Sequence, residues 1–310
     1  MEGRKKKWLT ELGQKPRLRR ETGLFLADGP KLCGELRPEE TEEVFVTRSF
    51  LQSAYAETCQ ALLSRTGYTE VTEAEMRQVS DTVTPQGILA LVRQRKLRGL
   101  SGLLEASEKT PLLLLLETIQ DPGNLGTILR AAEAAGVTGV VMNRGCVDIY
   151  APKVVRSTMG AILRVPFVTV EDLTAAAVRL RALLAEQKSR RPEEQRQREE
   201  WEQVRTVVGQ DKAEQSPAVQ AGHQAPAEAP FQLYAAHLAG AVAYDSVSYC
   251  GPCGIMIGNE SRGLSAELTA QADTAVKIPM EGAVESLNAA MASAILVFEA
   301  ARQRRFIKKS

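Results

Sequence analysis

The sequence predicts an α/β protein: a parallel sheet with helical crossovers, preceded by a smaller α/β module. Two observations carry this expectation. The continuous aliphatic run Leu112 to Leu116 is followed by a Pro-Gly turn, the Ala-rich stretch Leu125 to Ala135 and a further apolar run, Gly139 to Met142, which is the strand, helix, strand alternation of a parallel sheet. The chain has 310 residues, 44% of them hydrophobic and 25% charged, which fits two domains with a substantial core and excludes collagen, coiled coil and wholesale disorder.

In chain order, residues 1–95 show short strand-like runs at Gly23 to Ala27, Glu43 to Thr47 and Gly87 to Val92, and helix-like stretches at Ser53 to Ser64 and Glu73 to Val79, together a small α/β domain. Residues 96–110 continue a polar, basic texture that begins at Arg93 and suit an interdomain linker. The second domain spans 111–310. Within it Cys253 to Ile257 and Ala275 to Ile278 repeat the buried-strand pattern, Ala266 to Gln271 reads as a short helix, and Ser286 to Arg302 as a long closing helix. An insert at 186–230 interrupts the pattern, first with dense Arg, Glu and Gln and then with a Gln, Ala and Pro tract. Its charged half, near Pro192 and Trp201, is expected to be helical; its Ala/Pro half cannot bury enough surface to offset its ordering entropy and is expected to be disordered.

Net charge is only +1, from 39 basic and 38 acidic residues, so a polyanionic partner has to be gripped by a local patch. Basic residues gather at the ends: Arg4, Lys5, Lys6, Lys7, Lys15, Arg17, Arg19 and Arg20 near one, Arg302, Arg304, Arg305, Lys308 and Lys309 near the other. Such arms suit phosphate backbones, and solvated basic termini are equally common. No stretch approaches the ~20 apolar residues of a membrane span. No apolar segment follows the basic N-terminal residues, and the five cysteines are an odd number that fits a reducing compartment, so a cytoplasmic location is expected.

Cys250-Gly-Pro-Cys253 has the spacing of a thiol–disulfide exchange motif, but a strand-like Gly-Ile-Met-Ile follows it where a redox motif opens a helix. No second Cys or His pair lies at metal-ligand spacing, so no metal is expected. His223 and His237 lie in or just after the insert, which leaves Ser-His-Asp and Cys-His chemistry without a proton carrier, and the Walker A and GxGxxG patterns are missing.

Three clusters remain. In Glu117-Thr-Ile-Gln-Asp-Pro-Gly-Asn124-Leu-Gly126-Thr-Ile-Leu-Arg130 a strand ends, a turn follows, Asn124 stands where an N-cap is expected and Arg130 lies under two turns into the helix. Taken singly, Asn124 is a cap and Arg130 a partner for Glu133. The second cluster, Ile257 to Ser265, sets Gly258 and Gly263 around Glu260 after an apolar strand, where open α/β sheets bind ligands. The third joins Ile278-Pro279-Met280 to Glu285-Ser286-Leu287-Asn288 and a run of small residues that permits close helix approach in a core or across a dimer interface.

In this order and spacing the clusters resemble the signature motifs of the SpoU/TrmH family of RNA 2'-O-ribose methyltransferases, of the SPOUT class, over Pro111 to Gln303 apart from the insert. Arg20 to Gly29 is similar to the opening strand of the family's small substrate-binding domain, with Asp28 where glutamate is usual, and Thr84-Pro85-Gln86-Gly87-Ile88 to its closing one. The resemblance implies a sheet whose C-terminal segment is threaded into a trefoil knot, a topology that general connection rules disfavour. It also implies a homodimer, S-adenosylmethionine held by backbone around Gly258, Ile278, Met280 and Leu287, and RNA reaching a site between subunits. Catalysis is assigned to Asn124, Arg130, Glu260, Ser286 and Asn288, with Arg130 taking the 2'-OH proton and Asn124 holding Arg130. A guanidinium is essentially always protonated, so physical chemistry favours Arg130 orienting the nucleophile and a phosphate while a neighbour or the RNA assists proton loss.

The implied function is methyl transfer from S-adenosylmethionine to a ribose 2'-OH. Ribosomal RNA is favoured over transfer RNA because of the separate N-terminal module, and neither a membrane nor DNA is expected as a partner. The alternatives are an RNA-binding or ribosome-assembly protein that keeps the fold without turnover, and a thiol oxidoreductase acting through Cys250 and Cys253.

Overall fold

The computed structural model describes residues 1–187, 189 and 229–307. Strands are numbered β1 to β11 in chain order, as are helices longer than ten residues. The N-terminal sheet contains β1 (Leu24–Asp28), β2 (Thr41–Thr47), β3 (Thr69–Val71) and β4 (Ile88–Arg93) in the order β1-β4-β2-β3; β4 is antiparallel to β1 and β2, and β2 is parallel to β3. The two-residue period of a strand sends Phe25, Ala27, Val44, Val46, Ile88 and Ala90 to one face and Leu26, Phe45, Leu89 and Leu91 to the other. Helix α1 (Gly3–Gln14) covers the second face with Leu9 and Leu12. The helix Glu73–Val79 coincides with its expected span because Thr72 and Glu75 form a reciprocal capping box at its start.

The second sheet contains β5 (Leu112–Leu116), β6 (Gly139–Asn143), β7 (Phe167–Val170), β8 (Gln232–Ala236), β9 (Val242–Ala243), β10 (Cys253–Ile257) and β11 (Thr274–Lys277) in the order β7-β6-β5-β10-β8-β11-β9, every pairing parallel. Five successive leucines suit β5 because both faces are covered. Leu112, Leu114 and Leu116 meet α2 (Pro122–Ala135) and α4 (Ala289–Ile307), whereas Leu113 and Leu115 share a core with α3 (173–187).

Several boundaries differ from expectation. Helix α2 starts at Pro122, not Leu125, because proline fits the first helical position and Asp121 Oδ1 accepts from the Asn124 N–H (2.8 Å); Asp121 is therefore the N-cap, and Asn124 sits inside the first turn. Helix α4 begins at Ala289 rather than Ser286, since Asn288 Oδ1 takes up the Ala290 and Met291 N–H groups at 2.9 and 3.4 Å. The stretch Ser53 to Ser64 divides into a 3-10 turn (Ala54–Cys59) and a helix (Gln60–Thr66). Strands β3 and β9, three and two residues long, are too short to show a period, and β7 and β8, though mostly apolar, lack the long aliphatic run that marks β5. The expected linker is not a bare tether: Gly99–Glu105 is helical and buries Leu103, whose side chain lies against Gly139 so closely that a Cβ there would stand 2.8 Å from Leu103 Cγ. Pro192, Trp201, the Ala/Pro tract, His223, Lys308 and Lys309 lie outside the described residues.

The basic ends are partly consumed within the protein. Arg19 is 2% exposed and donates to Asp148 Oδ2 and the Leu12 and Gly13 carbonyls, all at 2.7 Å. Lys5 pairs with Glu43, Lys15 with Glu11, Arg17 with Glu21, and Arg302 with Glu299. Arg304 donates to the carbonyls of Tyr249, Thr110, Pro111 and Gly251 at 2.7–2.9 Å, closing α4 onto the N-terminal ends of β5 and β10. Arg19 also joins the two sheets, aided by Tyr150, whose ring meets Phe25 at 4.8 Å and Phe167 at 5.7 Å. One hydrophobic core runs through both sheets.

Helix α2 approaches the short helix Pro152–Ser157 through Gly126, where a Cβ would lie 1.8 Å from Ser157 Oγ and 3.0 Å from its backbone carbon. Gly126→Ala is expected to destabilise the fold by about 1–3 kcal/mol through overpacking. Chemical denaturation of the variant checks this, and unchanged stability would show that the two helices separate freely.

Candidate active site

The three clusters meet outside the C-terminal ends of β5, β10 and β11. The turn after β5 is fixed first. Glu117 accepts from the Ser265 N–H and Oγ, both at 2.7 Å, which ties this turn to the N-cap of the helix Ala266–Thr269. Thr118 adopts a left-handed φ of 56°, an uncommon conformation for a β-branched residue. It is held there by its N–H to Asn143 Oδ1 (2.8 Å) and by its carbonyl, which accepts from Asn259 Nδ2 (2.8 Å).

Asn259 also organises the turn after β10. Its Oδ1 accepts from the Ser261 N–H and Oγ and the Arg262 N–H at 2.9–3.1 Å, while its backbone pairs with Gly263 in both directions. The loop pinches shut at Gly258, where a Cβ would stand 2.2 Å from the Gly263 carbonyl carbon. Any side chain there would force the loop open.

Asn124 then links all three turns. Its Nδ2 donates to Glu260 Oε1 (2.9 Å), and its Oδ1 accepts from Asn288 Nδ2 (2.9 Å). Asn288 in turn caps α4. The glutamate's other oxygen accepts from Asn259 Nδ2 at 3.3 Å. Three of the five expected catalytic residues, Asn124, Glu260 and Asn288, thus form one hydrogen-bonded chain. Ser286 is exposed and has no side-chain hydrogen bond among the described residues, as is Arg130, on the outer face of α2. Asn124 does not hold Arg130: both ends of its amide are engaged elsewhere, and six helical positions turn the two side chains about 120° apart. Nor does Arg130 pair with Glu133, which Arg164 occupies.

Of the expected cofactor residues, Gly258 is buried, while Ile278, Met280 and Leu287 are half-buried along the segment between β11 and α4. Backbone N–H groups of residues 280–287 form no hydrogen bond among the described residues. Glu117, Thr118, Asn143 and Asn259 were missed as site residues. The signal for Glu117 was a carboxylate directly after a strand buried on both faces; Thr118 gave none, because its backbone conformation is imposed by partners distant in sequence.

The thiol motif does not form a redox site. Cys253 is the first residue of β10, not of a helix, and burial pushes its thiol up to about 11 despite the adjacent Arg304. Cys146, beside the Thr118 turn, is likewise pushed up to about 11 by burial.

Fold and site together define a parallel α/β protein with its ligand-binding turns gathered beyond the strand ends. Residues 111–213 and 203–298 match the model of the SpoU rRNA Methylase family, and residues 5–90 match that of an MRM3-like substrate binding domain. The chain belongs to the SpoU rRNA methylase family. It is 32% identical over 254 residues to a mitochondrial rRNA methyltransferase 3 of Xenopus laevis, covering 78% of this chain and 60% of that one. A 23S rRNA (guanosine-2'-O-)-methyltransferase RlmB of Ralstonia nicotianae is 32% identical, covering 74% of each chain. An AdoMet-bound rRNA methyltransferase structure from Sinorhizobium meliloti superposes with a TM-score of 0.67 at 25% identity, covering 97% of this chain and 95% of that one. The chain therefore spans about three-fifths of the length of its mitochondrial relative.

Cys250→Ser and Cys253→Ser are expected to leave the activity proposed below within about tenfold of the parent, since a hydroxyl in place of the Cys253 thiol can still accept from Arg304. A larger loss in a variant whose circular dichroism is unchanged would return the thiols to the chemistry.

Proposed function

We propose that the chain transfers a methyl group from S-adenosylmethionine to a ribose 2'-OH of RNA, with ribosomal RNA as substrate. The observation that carries this reading is the Glu260–Asn124–Asn288 chain, which brings the three family motifs into one site. The relatives named as rRNA methyltransferases and the AdoMet-bound relative support substrate and cofactor. No helix of the described residues is long and apolar enough to cross a membrane.

The residues fit the cofactor. The unpaired backbone N–H groups of 280–287, with the half-buried Ile278, Met280 and Leu287 and the closed turn at Gly258, offer polar groups for an adenosine and apolar walls for its ring. When bound, S-adenosylmethionine supplies an electrophilic methyl on a sulfonium. The protein supplies position. Asn124 and Asn288 hold the turns around the reacting groups, and Glu260, fixed by two amide donors, presents a carboxylate at the mouth of the site. Arg130, exposed and without a partner among the described residues, orients the ribose through its phosphate; as a permanent cation it does not accept the proton, which leaves to a neighbour or to the RNA. Ser286 lines the same turn.

The proposal extends to the finer architecture. The return of the chain from β11 to α4, which packs beside α2 on the same face of the sheet, is read as the trefoil knot. Helix α4 leaves an apolar stripe at Met291 (57% exposed), Ile295 and Phe298 (45% exposed), spaced i, i+4 and i+7. That stripe is the face on which a second copy docks to form a homodimer. The five cysteines, all unpaired, support a reducing, cytoplasmic location.

The test is methyl transfer from labelled S-adenosylmethionine to unmodified total RNA, with digestion to nucleosides. Label is expected in a 2'-O-methylnucleoside, reduced at least 100-fold in Arg130→Ala and Asn124→Ala while cofactor binding persists. Cofactor binding with no RNA accepting methyl would favour the binding-protein reading.

Helix α3 is described to residue 187 and β8 begins at Gln232, at the N-terminal ends of the parallel strands, opposite the ends that carry the site. Deleting residues 210–228 is accordingly expected to preserve both dimerisation, by sedimentation, and cofactor binding, by calorimetry. A monomeric or aggregated product would make the segment structural.

A further inference from the structure

Arg130 carries a hazard in its own helix. Glu133 lies three residues on, and residues at i and i+3 are helix-surface neighbours about 5–6 Å apart at Cβ, close enough for a carboxylate to capture a guanidinium. Yet Arg130 has no partner among the described residues. The reason is visible next to it: Arg164 grips both oxygens of Glu133, through Nε to Oε1 and Nη2 to Oε2 (3.0 Å for the latter), while its Nη1 reaches Glu35 of the N-terminal module. Backbone geometry supports this arrangement. Gly160, at a φ of 90°, lies beneath the cluster, and a Cβ there would stand 2.7 Å from Glu35 Oε2 and 3.0 Å from Arg164 Nη1.

We propose that Arg164 is a positioning residue that keeps Arg130 available by occupying Glu133, with Glu35 of the N-terminal module as its second anchor. Docking of the module is thereby linked to the state of Arg130. The inference rests on the reading of Arg130 as a group that contacts RNA. Without Arg164, Glu133 turns to Arg130, and the substrate phosphate has to compete with an internal carboxylate. Glu35, on the other module, then loses its link to α2.

Two measurements test this on the full chain. Phenylglyoxal labelling, mapped by peptide mass, reports how free the Arg130 guanidinium is: Arg130 should be labelled in the parent, protected in Arg164→Ala, and labelled again in Arg164→Ala/Glu133→Gln. In methyl transfer, Arg164→Ala should lower kcat/KM about two- to fivefold, the scale of a partly exposed ion pair, and the double variant should recover it. A structural role for Arg164 alone predicts no recovery, because Glu133→Gln restores no contact between the modules. Failure of Glu133→Gln to restore either labelling or transfer would overturn the proposal. If labelling follows the expected pattern but Arg130→Ala transfers methyl normally, Arg164 still governs Arg130 and it is the catalytic reading of Arg130 that falls.

Discussion

The direction of one side-chain amide sets the arrangement of the site. At one end of the chain Glu260 is a carboxylate and can only accept; at the other, the first N–H groups of α4 can only donate. Between them, Asn124 has to turn its NH2 toward Glu260 and its oxygen toward Asn288, and Asn288 has to turn its own oxygen toward the helix. Neither amide can flip without setting donor against donor or acceptor against acceptor. Three turns widely separated in sequence are thus locked into one register by an acidic side chain and a helix end.

The N-terminal module shares this fixed geometry. It is joined to the sheet by a common hydrophobic core, by the Tyr150 ring between Phe25 and Phe167, and by Arg19. Burying a guanidinium is costly, and Arg19 recovers that cost through Asp148 and two carbonyls supplied by the end of α1. The module is consequently a rigid ruler: whatever it binds is presented at a set distance from the strand ends. A tethered module would have left that distance to a loop.

Where chemistry was local, the sequence was readable. Five leucines marked β5, the apolar run at 253–257 marked β10, and the helix-like stretch Glu73 to Val79 coincides with the observed helix. The reading failed where long-range partners decide. Pro122 in the first helical position with Asp121 before it was a stronger start signal than Asn124, and giving it full weight would have placed Asn124 inside the helix, free to bridge. Strand β8 pairs on both sides, with β10 and β11, but its Gln232 and small alanines lack the aliphatic run that marked β10. The basic N-terminal residues were read by charge alone, although Leu9 and Leu12, three positions apart, were the buried stripe of α1. The motif residues themselves were legible only as a set; no single one outweighed its ordinary structural use.

Arg304 gives the fold an order of assembly. Its guanidinium joins the carbonyls of Thr110 and Pro111, where the second sheet begins, to those of Tyr249 and Gly251 just before β10. Because translation is vectorial, a nascent chain can present β5 and β10 long before residue 304 leaves the ribosome. Until then the Thr110 and Gly251 carbonyls lack that donor, although Pro111 already accepts from the Cys253 N–H, and the groove that α4 fills stays open. Release of the last helical turn is therefore the event that seals the sheet, and chaperone dependence should be concentrated in the interval before it.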